Sequence, residues 1–209
     1  MNQNPSTVSR CIEWAVVSRT TPGEVLSGDL HLVATFPDGA MAAVVDGLGH
    51  GREAGMAAKA AIDVLAAQAS ESLIPLVRRC HQALKNTRGA VMTLVSFNAE
   101  DDTVTALGIG NVEAVLMRAD RTARPAHETV LLRGGIVGDQ LPALHASLFP
   151  VHVGDVLILA TDGIRGDFWT QVNVADPLRQ LVDRILARSC RGTDDALVLA
   201  IRYRGMLNA

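Results

Sequence analysis

The sequence predicts an α+β fold in which helices cover packed antiparallel sheets, and three observations carry that prediction. Strand-like runs follow one another at hairpin distances along most of the 209 residues. Two adjacent helical stretches, and later a third, interrupt them. Several runs, VVD and VLILA among them, lack clean alternation, as strands buried on both faces do.

Taken in order, CIEWAVVS (11–18), LHLVATF (30–36) and MAAVVD (41–46) are rich in β-branched or apolar residues and read as strands. Pro37-Asp38-Gly39 between the second and third has the residue types of a tight hairpin turn. From Glu53 to Ala69 the period changes: Ala57, Ala61, Val64 and Leu65 form one apolar face of an Ala-rich helix. A second helix starts at Ser72, tolerates Pro75 in its first turn and buries Leu73, Leu76, Val77, Cys80 and Leu84, with Gly89 placed to end it. Strands are then expected at 91–97, 103–109, 112–118 and 128–132. A Gly-rich loop, RGGIVGDQLP, leads to a strand at 155–163. The third helix has Asp176 as its cap, Pro177 at its first position, and Leu178, Leu181, Val182, Ile185 and Leu186 as its stripe. ALVLAIRY (196–203) is the last strand.

Composition removes several classes of function. Charged residues make up 20%, apolar ones 48%, and the net charge is only −3, so there is no electrostatic footprint for nucleic acid. Aromatics at 3% leave few platforms for stacking bases. Cys11, Cys80 and Cys190 are odd in number and lack metal-type spacing, as expected of reduced thiols. No run approaches the ~18 apolar residues of a membrane span, and the first residues, MNQNPSTVSR, lack a signal-peptide core. A cytoplasmic protein without membrane or nucleic-acid partners is expected.

The informative feature is where acids sit. Asp46 and Asp162 each end an apolar run and precede glycine, in AAVVDG and LILATDG. Asp29 and the pair Asp194-Asp195 do the reverse, opening SGDLHLVATF and GTDDALVLAIRY. Antiparallel pairing sets the end of one strand beside the start of the next, so these acids can converge on one rim. Clustered carboxylates repel and need protons or cations, and hard oxygen ligands favour Mg²⁺ or Mn²⁺ over zinc. Each Asp taken alone is equally an exposed turn residue, as Asp38 is expected to be.

With these residues, VVDGLGHGREA (44–54), SGD (27–29), ATDGI (160–164) and TDDALVL (193–199) resemble the metal-dependent protein phosphatases of PPM type. The nearer resemblance is to their SpoIIE-like branch and its small stand-alone RsbX-like members. It extends over NTRGAVM (86–92), GIGNVEAVL (108–116) and LRGGIVGDQLP (132–142), so residues 1–209 are expected to form one such domain, with 1–10 a polar tail. The resemblance implies a four-layer α-β-β-α sandwich, two antiparallel sheets flanked by pairs of helices, with two Mn²⁺ or Mg²⁺ ions at one end. By the same token Asp46 bridges both ions, the Gly47 carbonyl binds the second, and Asp162 and Asp194 hold the first. Asp29 supports the second directly or through water; whether Asp195 exchanges roles with Asp194 stays open.

The activity implied is removal of phosphate from serine or threonine, by a metal-bridged water attacking phosphorus without a phosphoenzyme. The substrates implied are phosphorylated STAS-domain proteins of stressosome (RsbR- or RsbS-like) or anti-anti-sigma type, which would make the protein a reset enzyme in a stress response. Many eukaryotic members have histidine directly after the bridging Asp-Gly, where Leu48 stands here. His50, two residues on, is a candidate for substrate contact or protonation and equally for shaping the loop or capping the helix. Arg19, Arg52 and Arg165 are candidate phosphate contacts or plain surface residues. Two alternatives remain: a phosphoprotein-binding module without turnover, and a small-molecule phosphoesterase.

Overall fold

The computed structural model describes residues 7–8 and 11–206. Among them lie twelve strands and three helices: β1 (Thr7–Val8), β2 (Ile12–Arg19), β3 (Asp29–Phe36), β4 (Gly39–Gly47), α1 (Gly51–Ala67), α2 (Leu73–Ala83), β5 (Ala90–Asn98), β6 (Thr103–Ile109), β7 (Glu113–Met117), β8 (His127–Thr129), β9 (Leu132–Arg133), β10 (Ser147–Pro150), β11 (Val156–Ala160), α3 (Leu178–Ser189) and β12 (Ala196–Tyr203). Within the expected tail, Thr7–Val8 pairs with Trp14 and Glu13, and the rest of 1–10 lies outside the described residues.

Two six-stranded sheets result, one ordered β1-β2-β12-β11-β7-β8 and the other β10-β6-β5-β4-β3 with β9 beside β6. All pairs are antiparallel except β6–β9, where a two-residue strand runs parallel to β6. The chain crosses from one sheet to the other there, which splits the single strand expected at 128–132.

Three apolar layers follow from the strand faces. Val44, Val95, Phe97, Leu157, Leu199 and Ile201 meet between the sheets. Ala58, Ala61, Leu65, Leu76 and Cys80 of α1 and α2 cover Met41, Ala43 and Val45 of the second sheet. On the outer face of the first sheet, Leu181, Val182 and Ile185 of α3 pack on Ile158, Val198 and Ala200. The order is thus helix, sheet, sheet, helix, with two helices on one side and α3 alone on the other among the described residues. β4 and β11, buried on both faces, lack the alternation of half-exposed strands for that reason.

Two helix ends differ from expectation. α2 stops at Ala83 because Thr87 closes a turn on Leu84, its N–H (2.9 Å) and hydroxyl (2.8 Å) both donating to the Leu84 carbonyl. Gly89, at φ +81°, instead leads into β5. At α3 the cap position is Pro177, and the Asp176 carboxylate accepts from Arg184 at 2.5 Å rather than capping. Among the described residues no helix is long and apolar enough to cross a membrane.

Candidate active site

Strand register brings the predicted acids to one rim. Asp29, first in β3, stands directly opposite Asp46 near the end of β4. In the other sheet, β11 and β12 pair with Ala160 opposite Val198, so the residues just past β11 lie beside those just before β12. The Thr161 N–H continues that ladder to the Leu197 carbonyl at 3.1 Å, and Asp162 peels away from it. A strand expected to run to 163 therefore stops at Ala160.

Thr161 joins the two sheets at the rim. Its hydroxyl donates to Asp29 Oδ2 at 2.6 Å and accepts from the Leu197 N–H at 2.9 Å. Asp29 is 3% exposed, so this bond supplies a polar partner that burial would otherwise deny it. Beside them opens a pocket of about 210 Å³ lined by Asp46, Leu48, Gly49, His50, Val91, Asn111, Asp162 and Asp194. Asn111 donates to Asp162 Oδ2 at 2.8 Å, and Arg191 Nε donates to the Asp162 carbonyl at 2.9 Å.

The two adjacent aspartates are used differently. Asp194 lines the pocket and, among the described residues, accepts the Asp195 N–H alone, at 2.8 Å. Asp195, 4% exposed, accepts the Thr21 N–H (2.7 Å), the Thr21 hydroxyl (3.0 Å) and the Gly28 N–H (2.6 Å). Its oxygens are spent on the 20–28 loop that leads into Asp29.

The glycines beside these acids are set by close approach. A β-carbon on Gly47 would fall 2.0 Å from the Ala54 carbonyl oxygen, and one on Gly163 1.9 Å from that of Asp195. The Gly47 carbonyl oxygen lies beside Gly28, 3.2 Å from where a side chain there would begin.

Electrostatics mark the rim as a place for positive charge. Burial, then the neighbouring Asp29, Asp162, Asp194 and Asp195, push Asp46 up to about 8. Burial also raises Asp29, to about 7; the Thr161 bond opposes the rise and the other aspartates add to it. Asp162 is raised by burial and by Asp194, against the pull of Asn111 and Arg191. Among the described residues no Lys, Arg or His forms an ion pair with any of these five acids. An all-oxygen donor set, with Arg191 near Asp162 but no direct ion pair among the described residues, fits a hard divalent cation. In this arrangement no three of the described His, Cys, Asp or Glu side chains converge tightly enough to chelate one ion.

His50 lines the pocket, and its Nδ1–H donates to Glu24 Oε1 at 2.7 Å; it sits at the start of α1 without a side-chain cap bond. Arg19 is exposed at the end of β2, and Arg52 is exposed in the first turn of α1. Arg165 lies with Arg184 and Arg188 around a separate cavity of about 260 Å³. None of the three arginines lines the carboxylate pocket. The remaining histidines are dispersed: His81 accepts the Gly138 N–H, His31 packs on Trp14 and His127 on Trp169.

Residues 37–204 match the family model of Stage II sporulation protein E (SpoIIE). The phosphoserine phosphatase RsbX of Bacillus subtilis (strain 168) is 32% identical over 105 residues, 50% of this chain and 53% of that one. The chain thus spans about half the length of the curated relative it matches. A solved structure described as "The bacterial stressosome: a modular system that has been adapted to control secondary messenger signaling" superposes with a TM-score of 0.82 at 29% identity, over 91% of this chain and 99% of that one. RsbX in complex with magnesium superposes with a TM-score of 0.83 at 22% identity, over 95% of this chain and 98% of its own, a likeness of fold. With four-fifths of its length inside the family model, the chain belongs to the SpoIIE family, and it shares the fold of RsbX.

Proposed function

We propose that the chain is a metal-dependent protein phosphatase acting on phosphoserine or phosphothreonine. The carrying observation is the rim itself: aspartates from both sheets, with Asp29 buried, Asp46 partly buried and Asp162 at the open side, are raised in pKa by burial and by one another, and among the described residues none of them is ion-paired to Lys, Arg or His. Asp46, Asp162 and Asp194 line the pocket and would hold two Mn²⁺ or Mg²⁺ ions together with the Gly47 carbonyl, while Asp29 supports them from behind. Divalent ions bound to these residues would supply an activated water and positive charge for the phosphoryl oxygens.

The chain's own residues orient that set. Asn111 fixes one oxygen of Asp162, Thr161 fixes one of Asp29, and Asp195 holds the loop leading into Asp29. Asp195 is assigned this holding role, because its oxygens are already taken. The pocket is small beside the ~300–1,000 Å³ of typical ligand sites, which favours a phosphorylated side chain over a nucleotide. Phosphorylated STAS-domain proteins of a stressosome are the proposed substrates. The name of RsbX and the stressosome likeness support that choice. Residues 1–209 are taken as one catalytic domain working in the cytoplasm.

The test is hydrolysis of p-nitrophenyl phosphate with Mn²⁺, with chelator, and by Asp46→Asn. Metal-dependent turnover that falls at least ~100-fold in the variant is expected. Turnover that survives both chelation and the substitution would overturn the reading.

A further inference from the structure

The loop between β2 and β3 is held rigidly yet presents apolar side chains to solvent. Thr21 and Gly28, near its two ends, donate to Asp195. A turn closes from the Glu24 N–H to the Thr21 carbonyl at 3.1 Å, with Gly23 at φ +94° as the left-handed residue it needs. Glu24 then accepts from His50 on the wall of the pocket. Between these anchors Val25 is 94% exposed and Leu26 51%.

Leu26 does not stand alone. Its Cβ lies 3.7 Å from where a side chain on Gly55 would begin, and the next residue of α1, Met56, is 59% exposed. Single exposed apolar residues are ordinary, but two on an anchored loop with a third on the adjoining helix, beside a reactive pocket, are a feature of interaction sites. The anchoring bonds also remove the ordering cost that a mobile loop would bring to binding.

We infer that Val25, Leu26 and Met56 form the docking surface for the folded phosphoprotein whose phosphorylated side chain enters the carboxylate pocket. The inference rests on the phosphatase reading above. Two observations choose this occupant. The surface is continuous with the pocket through the Glu24–His50 bond. The pocket, at about 210 Å³, offers few side chains with which to tell one phosphoprotein from another, so the surface around it is where discrimination between proteins can be built. The partner's complementary patch is therefore apolar and lies beside its phosphoserine.

The experiment compares three substrates: p-nitrophenyl phosphate, a serine-phosphorylated STAS-domain protein, and a phosphoserine peptide cut from that protein's sequence. The variant is Val25→Ser/Leu26→Ser/Met56→Gln, which changes exposed positions outside the pocket and adds no charge near the acids. For the folded protein, kcat/KM should fall at least ~10-fold, through KM. p-Nitrophenyl phosphate and peptide turnover should stay within about twofold. An unchanged kcat/KM for the folded protein, or an equal loss on all three substrates, overturns the inference. So does a wild type that hydrolyses p-nitrophenyl phosphate but treats folded protein and peptide alike, which would leave the phosphatase reading intact. Sedimentation showing a wild-type dimer that the variant dissociates would assign the patch to a second copy of the chain and also overturn it. A wild type with no metal-dependent turnover of p-nitrophenyl phosphate removes the phosphatase reading, and the docking surface with it.

Discussion

At the scale of single residues, the division of labour between Asp194 and Asp195 is the finding the sequence could not supply. The two are adjacent and alike, and only the fold shows one facing the pocket and the other spent on Thr21 and Gly28. Replacing Asp195 with Ala should leave buried donors unpaired and cost about 1–3 kcal/mol in a denaturant melt. It should also lower phosphatase activity in proportion to the loosening of the 20–28 loop, while metal affinity falls less than in Asp194→Ala. Asp29, Asp46, Asp162 and Asp194 were legible because each sits where an apolar strand begins or ends. Thr161, Asn111 and Thr21 were not, because their partners lie 132, 51 and 174 residues away and nothing local marks them. His50 was legible only as an ambiguity: its partner Glu24 comes from a different loop.

At the scale of elements, the junction of β4 with α1 sets the tightest constraint. The strand ends at Gly47, and the helix turns back so closely that the Ala54 carbonyl occupies the space of a side chain there. Gly47→Ala should therefore destabilise by about 3 kcal/mol or more, read as a lowered melting midpoint, since backbone rather than a flexible side chain has to move. Long periodic elements were the most legible: the stripes of α2 and α3 and the bounds of β6 and β12 follow directly from apolar spacing. Ends governed by side-chain competition were less so, as with Thr87 beyond α2 and Asp176, before α3, paired to Arg184 within it. β10, with only four residues and alternating exposure, carried too short a signal to stand out from its loop.

At the scale of the whole molecule, the acidic rim places a pH dependence on stability. Unfolded, Asp29 and Asp46 ionise near 3.8; folded, they hold their protons to about 7 and about 8. Between those values the folded state binds more protons, so this contribution to stability is largest at low pH and is lost as pH rises through 7 to 8. Chelator-treated protein should accordingly melt at lower temperature at pH ~8 than at pH ~6, and Asp46→Asn should flatten that slope. Added Mn²⁺ should restore the melting temperature at the higher pH through binding to the folded state alone. The most direct measurement is calorimetric titration of Mn²⁺ into chelator-stripped protein and into Asp46→Asn, in two buffers of different ionisation enthalpy. The wild type should bind saturably with proton release, greater at pH ~6.5 than at pH ~9, and the variant should lose at least ~10-fold in affinity. Binding that is absent at millimolar metal, or equally tight after Asp46 is neutralised, would contradict the proposed metal centre.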